Sequence, residues 1–311
     1  MRVRLDKNTD YQAKDPHGLH WGLNRFVGKG HKLKTVEKGG NLERIAGQRF
    51  ESIQPGDRLL QFGNPWIAKD PEERIFNHYE KLLPIVDKYY FWDNPQIPHF
   101  LYKDVWNPRG HKLWIRLVPD NIMSRDCDFV PDRELQINEM LQWYTGNKRY
   151  TWRNMLPRRR DVKARGKKVL LLSSSSGVYH YYSNLDREQW LRDQAETLTG
   201  LGYEVEIRRK MGRKERILHQ PRLDQYLYDN DFAFTLSYQS ASMMESLIAG
   251  TPAVTYNHRH CGGKLATTYE EMLDGHIREN KQEEVDQRIL QLFSDTFHKH
   301  EAFEGSWYRG Q

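Results

Sequence analysis

Cysteine is nearly absent from this chain. Cys127 and Cys261 are too few for a disulfide framework or an all-cysteine zinc site. No apolar run approaches the roughly 18 residues a membrane-spanning helix needs. The opening Met1-Arg-Val-Arg-Leu-Asp lacks the apolar stretch of a secretory signal, so a cytoplasmic protein is expected. There is no internal repeat and no low-complexity segment. The thirteen histidines form no HExxH pair, and no GxGxxG follows a strand, which weighs against a dinucleotide dehydrogenase. Disorder is excluded by the 12% aromatic content, far above that of chains unable to form a core.

What is present is length and unevenly placed charge. The 311 residues suffice for two ordinary domains, each burying its own core. The formal charge is +6, yet the stretch 148–168 alone carries +9, ten basic residues against Asp161. A second basic cluster runs from Arg208 to Arg216. Such clusters are either solvated loops or attractors of a polyanion such as nucleic acid or acidic glycan. Trp143, Tyr144, Tyr150 and Trp152 are interleaved with the first cluster, as stacking residues or as helix packing. An anionic acceptor contacting Arg149, Arg153, Arg158, Arg159 and Arg160 is the expectation drawn from it.

The segment 156–166 starts on proline, is charged and poor in apolar residues, and ends on Gly166, as linkers do. The expected organisation is an N-terminal domain over 1–155, a basic linker over 156–166 and a C-terminal domain over 167–311. In the second half, apolar strands over 168–172, 203–207, 232–236 and 252–256 alternate with helices over 186–199, 224–228 and 242–249. The first half alternates less cleanly: strands over 3–5, 32–36, 58–62, 89–92 and 112–118, helices over 19–27 and 74–86. A closing helix spans 281–293. This alternation predicts α/β architecture, with two Rossmann-like domains whose parallel sheets face a central cleft.

Parallel sheets bind ligands beyond the carboxyl ends of their strands. There the second half places Ser173 to Gly177, Arg208-Arg-Lys210, Ser237 to Ser242 and Asn257 to His260. Hydroxyls, amides and cations on one rim are what a diphosphate needs, with unpaired amides at a helix N-terminus completing it. Ser240 or Ser242 also serves as an ordinary N-cap, and Arg208 and Lys210 as surface partners of Glu204 and Glu206.

Ile207-Arg-Arg-Lys210 and Ser240-Ala-Ser-Met-Met-Glu-Ser-Leu-Ile-Ala-Gly-Thr-Pro252 resemble the donor-binding half of GT-B glycosyltransferases, over 168–256. The resemblance implies a nucleotide-sugar co-substrate, UDP-sugar being expected, with no metal and no resident cofactor. It assigns the diphosphate to Arg208 or Lys210 and to Ser240 and Ser242, with Glu245 on the ribose. Ser174, Ser175 and Gly177 complete the donor set from the first strand's loop. The aromatic run ending in Asp93, ahead of Pro95, resembles the segment that delivers the base in phage DNA glucosyltransferases, and makes Asp93 the expected catalytic base. Asp15, His17 and His20 are rivals, and Asp93 also fits an Asx-turn. Asp126-Cys-Asp128 has the form of a metal-binding Asp-x-Asp but lacks its strand context. The expected acceptor is a hydroxylated base in DNA. Transfer to a surface or lipid-linked glycan, or nucleic-acid binding without catalysis, are the alternatives.

Overall fold

The computed structural model describes residues 33–36, 58–62, 88–93, 95–98, 101, 114–119, 132–174, 179, 185–210, 221–256 and 261–298. The chain divides into two compact units. One comprises 1–95, 102–124 and 294–311, the other 96–101 and 125–293. This division differs from the expected one at both ends: 125–166 groups with the second unit, and the residues after 293 group with the first. The expected elements over 3–5, 19–27 and 74–86 lie outside the described residues.

The first unit holds a five-stranded sheet in the order β1 (Leu33–Val36), β2 (Arg58–Phe62), β3 (Lys88–Asp93), β4 (Trp114–Pro119), β10 (Thr296–His298). β1, β2 and β3 run parallel. β4 is antiparallel to β3, and β10 antiparallel to β4. The expectation of a parallel sheet therefore fails here. Parallel neighbours need a crossover of a dozen or more residues, usually a helix. The sequence between β3 and β4 carries Pro95, Pro98, Pro108 and Gly110, and its residues 96–101 group with the second unit. Arg116 of β4 is buried and donates from Nε to Asp295 Oδ2 at 2.6 Å, fastening the segment that leads into β10.

The second unit is the doubly wound α/β body that the alternation predicts. Its sheet is wholly parallel, in the order β6 (Glu204–Arg208), β5 (Lys168–Leu172), β7 (Phe234–Ser237), β8 (Ala253–Thr255), β9 (Thr267–Thr268). Counted along this unit, that is 2-1-3-4-5, with the reversal of strand order between β5 and β7. Helices cover both faces because the strands are apolar on both. Val169, Leu171, Phe234, Leu236 and Val254 pack with Trp190, Leu191 and Leu198 of α2 (Arg187–Gly200) and Met272 of α5 (Tyr269–Leu273). Leu170 and Leu172 pack on the other face with Leu227 of α3 (Leu223–Asp229), Phe232 and Ala249 of α4 (Ser242–Ala249).

Local chemistry sets the helix ends. Asp186 caps α2 by accepting from the Gln189 amide at 2.8 Å. α5 opens on a reciprocal capping box between Thr268 and Glu271. Glu271 also pairs with Arg278. That guanidinium, with the Thr268 amide, lowers the Glu271 carboxyl from 4.5 to about 2. A carboxyl depressed on folding stabilises above its unfolded pKa and loses that contribution as pH falls through the folded one. Wild type should therefore be more resistant to urea than Glu271→Gln at pH 6, with the gap closing between pH 4.5 and about 2. Equal midpoints at pH 6 would remove Glu271 as a stabilising group.

The stretch expected to be a linker, 156–166, is instead packed. Val162 is fully buried and bridges Asn280 through two backbone bonds of 2.9 and 3.1 Å. Asp161 accepts from Lys281 Nζ at 2.9 Å and from the Gln282 amide at 3.3 Å, at the start of α6 (Gln282–Phe293). Arg165 Nη1 donates to the Gly250 carbonyl at 2.6 Å. Charged linker composition is also the composition of a strap that crosses helix ends and satisfies their backbone groups. An additional helix, α1 (Arg133–Thr145), precedes this strap.

Candidate functional site

Strand register fixes the geometry of the rim. Leu172 is opposite Arg208 on one side and Ser237 on the other, and Ser237 is opposite Thr255. Arg208 and Ser237 thus stand two strand spacings apart, about 10 Å between Cα atoms. On β7, Thr235 Oγ1 donates to Ser246 Oγ of α4 at 2.9 Å. Ser237, two residues on, shares that face and lies one helical turn nearer the start of α4. On β6, Glu206 meets Tyr226 of α3, so Arg208, again two residues on, lies on the same side of the sheet.

Arg208 is half-buried. Its Nη2 donates to the Pro221 carbonyl at 2.5 Å, and its guanidinium lies 5.4 Å from the Tyr226 ring centroid. Burial lowers its pKa, opposed first by the negative charge of Glu245 on α4, then by Tyr226, Glu206 and Asp224. The cation and the first turn of α4 therefore feel each other across the rim. Tyr226 is pushed up to about 12 by burial and by the Glu206 carboxylate, whose two oxygens accept its hydroxyl at 2.7 and 2.8 Å. Glu206 thus takes Tyr226, with Lys168 Nζ 3.9 Å from its Oε2. Arg209 points the other way, into a two-pronged pair with Glu188 Oε2 at 3.2 and 3.1 Å. Lys210 contributes its amide, which donates to Ser173 Oγ at 2.7 Å.

The serines divide into those that brace the rim and those that line it. Ser174 is buried: its Oγ donates to the Gln239 carbonyl at 2.5 Å, and its amide to the Tyr179 hydroxyl at 3.2 Å. Ser173 and Ser174 thereby tie the end of β5 to the loops after β6 and β7. Ser240 Oγ accepts from the Ser242 hydroxyl at 2.8 Å and its amide at 3.2 Å. The amides of Met243 and Met244 reach the carbonyls of Ser240 and Ala241 at 3.3 and 3.1 Å. The unpaired amides expected at this helix start are therefore satisfied locally. Ala241 is the N-cap and has no side-chain bond, so Ser240, one residue earlier, performs the capping.

Ser237 has no such arrangement. It is 1% exposed, and among the described residues its Oγ has no hydrogen-bond partner, which is also true of the buried Thr251 Oγ1 away from the carboxyl rim. The Oε1 of Gln239 is likewise buried and without a partner. A buried hydroxyl without a bond costs about 1–3 kcal/mol, so native structures seldom retain one without a ligand or water to receive it. The sequence does carry a signal for Ser237. Thr235 and Ser237 are hydroxyls alternating with Phe234 and Leu236, and the last of them sits at the strand's carboxyl end.

Of the expected donor residues, Ser174, Arg208, Ser240, Ser242 and Glu245 gather at one end of the sheet. Ser175 and Gly177 lie outside the described residues, as do Asp15, His17, His20, Asp126, Asp128, His258 and His260. Asp93 is the last residue of β3, opposite Arg116 in the register, rather than in the loop beyond it.

Part of the basic stretch is paired within the second unit, although most of its cations are exposed. Arg153 pairs with Glu134 and with Asp286, and lies 4.6 Å over Trp152. Arg159 makes a two-pronged pair with Asp286. Arg160 donates to the Asn230 carbonyl and Asp231 at 3.2 and 3.3 Å, with Tyr228 beneath it. These three hold the strap to the second unit. Arg149 and Arg158 are exposed and remain directed to solvent. Compared with protein-family models, curated proteins and solved structures, the chain matches none. The GT-B resemblance rests on the residues quoted for it alone.

Proposed function

We propose that the second unit binds the diphosphate of a nucleotide sugar, UDP-sugar being the expected donor, and that the protein is a glycosyltransferase of GT-B type. The observation that carries this reading is the Ser237 hydroxyl, buried without a partner at the point where strand order reverses, on the same face as Arg208 and the first turn of α4. Glycosyl transfer builds negative charge on the departing diphosphate. A half-buried guanidinium, held ready on Tyr226, and the positive end of the α4 dipole stabilise that charge more in the transition state than in the ground state. Ser240, Ser242 and Glu245 line the same approach. In the finer form of the proposal, Asp93 accepts the proton of the attacking hydroxyl. The acceptor is a hydroxylated base in DNA, with Arg149 and Arg158 as the exposed cations for its backbone.

Calorimetric titration with UDP and with inorganic pyrophosphate tests the donor site. Ser237→Ala should leave the melting point of the ligand-free protein unchanged or higher, because it removes an unbonded buried hydroxyl, while weakening both ligands about tenfold. A stability loss with unchanged affinity would assign Ser237 to packing and withdraw the reading. The transferase activity is tested by incubating the protein with UDP-sugars and hydroxymethylated DNA and looking for one added sugar mass per modified base.

A further inference from the structure

At the amino edge of the second sheet, away from the rim, three polar atoms are buried with no hydrogen-bond partner among the described residues. They are Arg160 Nε of the strap, Thr251 Oγ1, and Gln282 Oε1 at the start of α6. All three residues meet at the turn that ends α4. Thr251 directly follows Gly250, and a Cβ at Gly250 would run into Cγ and the carbonyl oxygen of Arg160. Gln282 Nε2 donates to that same Arg160 carbonyl at 2.7 Å and to the Leu247 carbonyl at 3.0 Å. The Leu247 carbonyl in turn accepts from the Gly250 amide at 3.1 Å. The Gln282 oxygen shares an amide carbon with that nitrogen, so it lies in the same junction. Register orients the third side chain. Ala253 is opposite Thr235, which meets Ser246 of α4, and alternation carried back two residues turns Thr251 to the α4 face as well.

The chemistry of these atoms is complementary. A guanidinium Nε only donates, an amide oxygen only accepts, and a hydroxyl does either. Two of them are held where they stand by the bonds their side chains already make. Arg160 Nη2 donates to the Asn230 carbonyl and Asp231, and Gln282 Nε2 to its two carbonyls. The Thr251 backbone is fixed too, its amide on the Ser246 carbonyl at 2.9 Å. Thr251 and Gln282 are 1% and 8% exposed, so bulk solvent does not serve them. One bare polar atom is a cost that a fold sometimes bears; a donor, an acceptor and a hydroxyl bare at one junction are the lining of an ordered-water site.

We propose that the junction of the strap, α4 and α6 binds one interior water molecule, held by Arg160 Nε, Gln282 Oε1 and Thr251 Oγ1. The water accepts from the Arg160 N–H and donates one hydrogen to the Gln282 oxygen and the other to the Thr251 hydroxyl. Three protein partners are the usual complement of a buried water, and donors and acceptors balance. The water ties the strap to the ends of both helices, where the direct bonds of Arg160 and Gln282 leave one atom of each unused. This assignment is independent of the diphosphate reading, since none of its three residues belongs to the rim.

Thr251→Val exchanges the hydroxyl for a methyl group of similar shape, and the sign of its effect separates a hydrated hydroxyl from a bare one. With the water bound, the substitution takes away one of its three partners, and the melting point by scanning calorimetry should fall by about 2–4 °C. A bare hydroxyl predicts no change or a rise, because its removal then relieves a cost. High-resolution crystal structures of wild type, Thr251→Ser and Thr251→Val supply the second measurement. Wild type and Thr251→Ser, which keeps the hydroxyl, should show a water peak within hydrogen-bond reach of all three atoms, and Thr251→Val a weakened peak or none. A Thr251→Val protein that melts at or above the wild-type temperature overturns the proposal. So does a wild-type junction in which the three atoms bond one another directly, or in which no water peak is seen.

Discussion

Gly250→Ala should lower the melting point of the second unit by roughly 10 °C, the largest stability effect expected of any single substitution considered for this chain. Gly250 ends α4 at φ +89°, in the left-handed region where a side chain costs about 1–2 kcal/mol. A Cβ there would also run into the backbone carbonyl and the side chain of Arg160 on the strap. Arg160 cannot swing aside, since its carbonyl accepts from Gln282 Nε2 at 2.7 Å and its guanidinium is held at Asn230 and Asp231. Overpacking of this kind adds about 1–3 kcal/mol, for a total of about 2–5. Gly202→Ala is the control: φ is +86°, and nothing lies within 4 Å of the added carbon, so only the conformational cost applies. Differential scanning calorimetry of both variants separates the two contributions. Equal effects at 250 and 202 would show that the strap yields, and that its contact with the helix end is loose.

Arg208→Ala should weaken UDP and pyrophosphate about 100-fold, with little change in the ligand-free melting point. Among the described residues, Pro221 is the one hydrogen-bond acceptor of a guanidinium with five N–H donors. Its surroundings are Tyr226, Glu206, Asp224 and Glu245, which stabilise the positive charge where burial opposes it. An arriving diphosphate would replace a neutral carbonyl with charge-assisted, two-pronged bonds, each worth about 1.5–3 kcal/mol. Arg208→Lys, which keeps the charge and loses the fork, should recover only part of the affinity. Titration of the three proteins against pyrophosphate decides it. Wild-type affinity in Arg208→Ala would leave the cation as a clamp for Tyr226 and nothing more.

The second unit was legible because its signals are local and agree with one another. Lys168 to Leu172 is an apolar run with stop signals on each side, Asp186 is a cap, Gly202 and Gly250 are left-handed terminators, and each does in space what it announces in sequence. α1 was not expected, for two physical reasons. Its start at Asp132 has φ 64° and no side-chain cap, and its apolar residues are not confined to one face: Leu135 and Trp143 are 58% and 66% exposed while Ile137 and Leu141 are fully buried. The strap was misjudged because composition reports charge but not partners, and the acids that hold Arg153 and Arg159, Glu134 and Asp286, stand 19 and more than 120 residues away in sequence. The same holds for the antiparallel β4 and for β10: strand direction depends on what connects the strands, and hydrophobic pattern is blind to it. At the site, Arg208 and the serines, Ser237 among them, are visible by position after strands, whereas the burial that leaves the Ser237 hydroxyl without a bond among the described residues is set by packing that no sequence displays.

The placement of β10 bears on how the protein is made. All of the second unit, 96–101 and 125–293, precedes residue 294, so that body can fold before β10 leaves the ribosome. The first sheet cannot close until residue 298 emerges, because β10 covers the free side of β4. During that interval β4 presents a row of unpaired backbone groups, the kind of template on which nascent chains associate with one another. Yield from a cell should therefore depend on how quickly the stretch from β4 to β10 is translated, and slow codons between residues 119 and 298 should cost more material than slow codons before them.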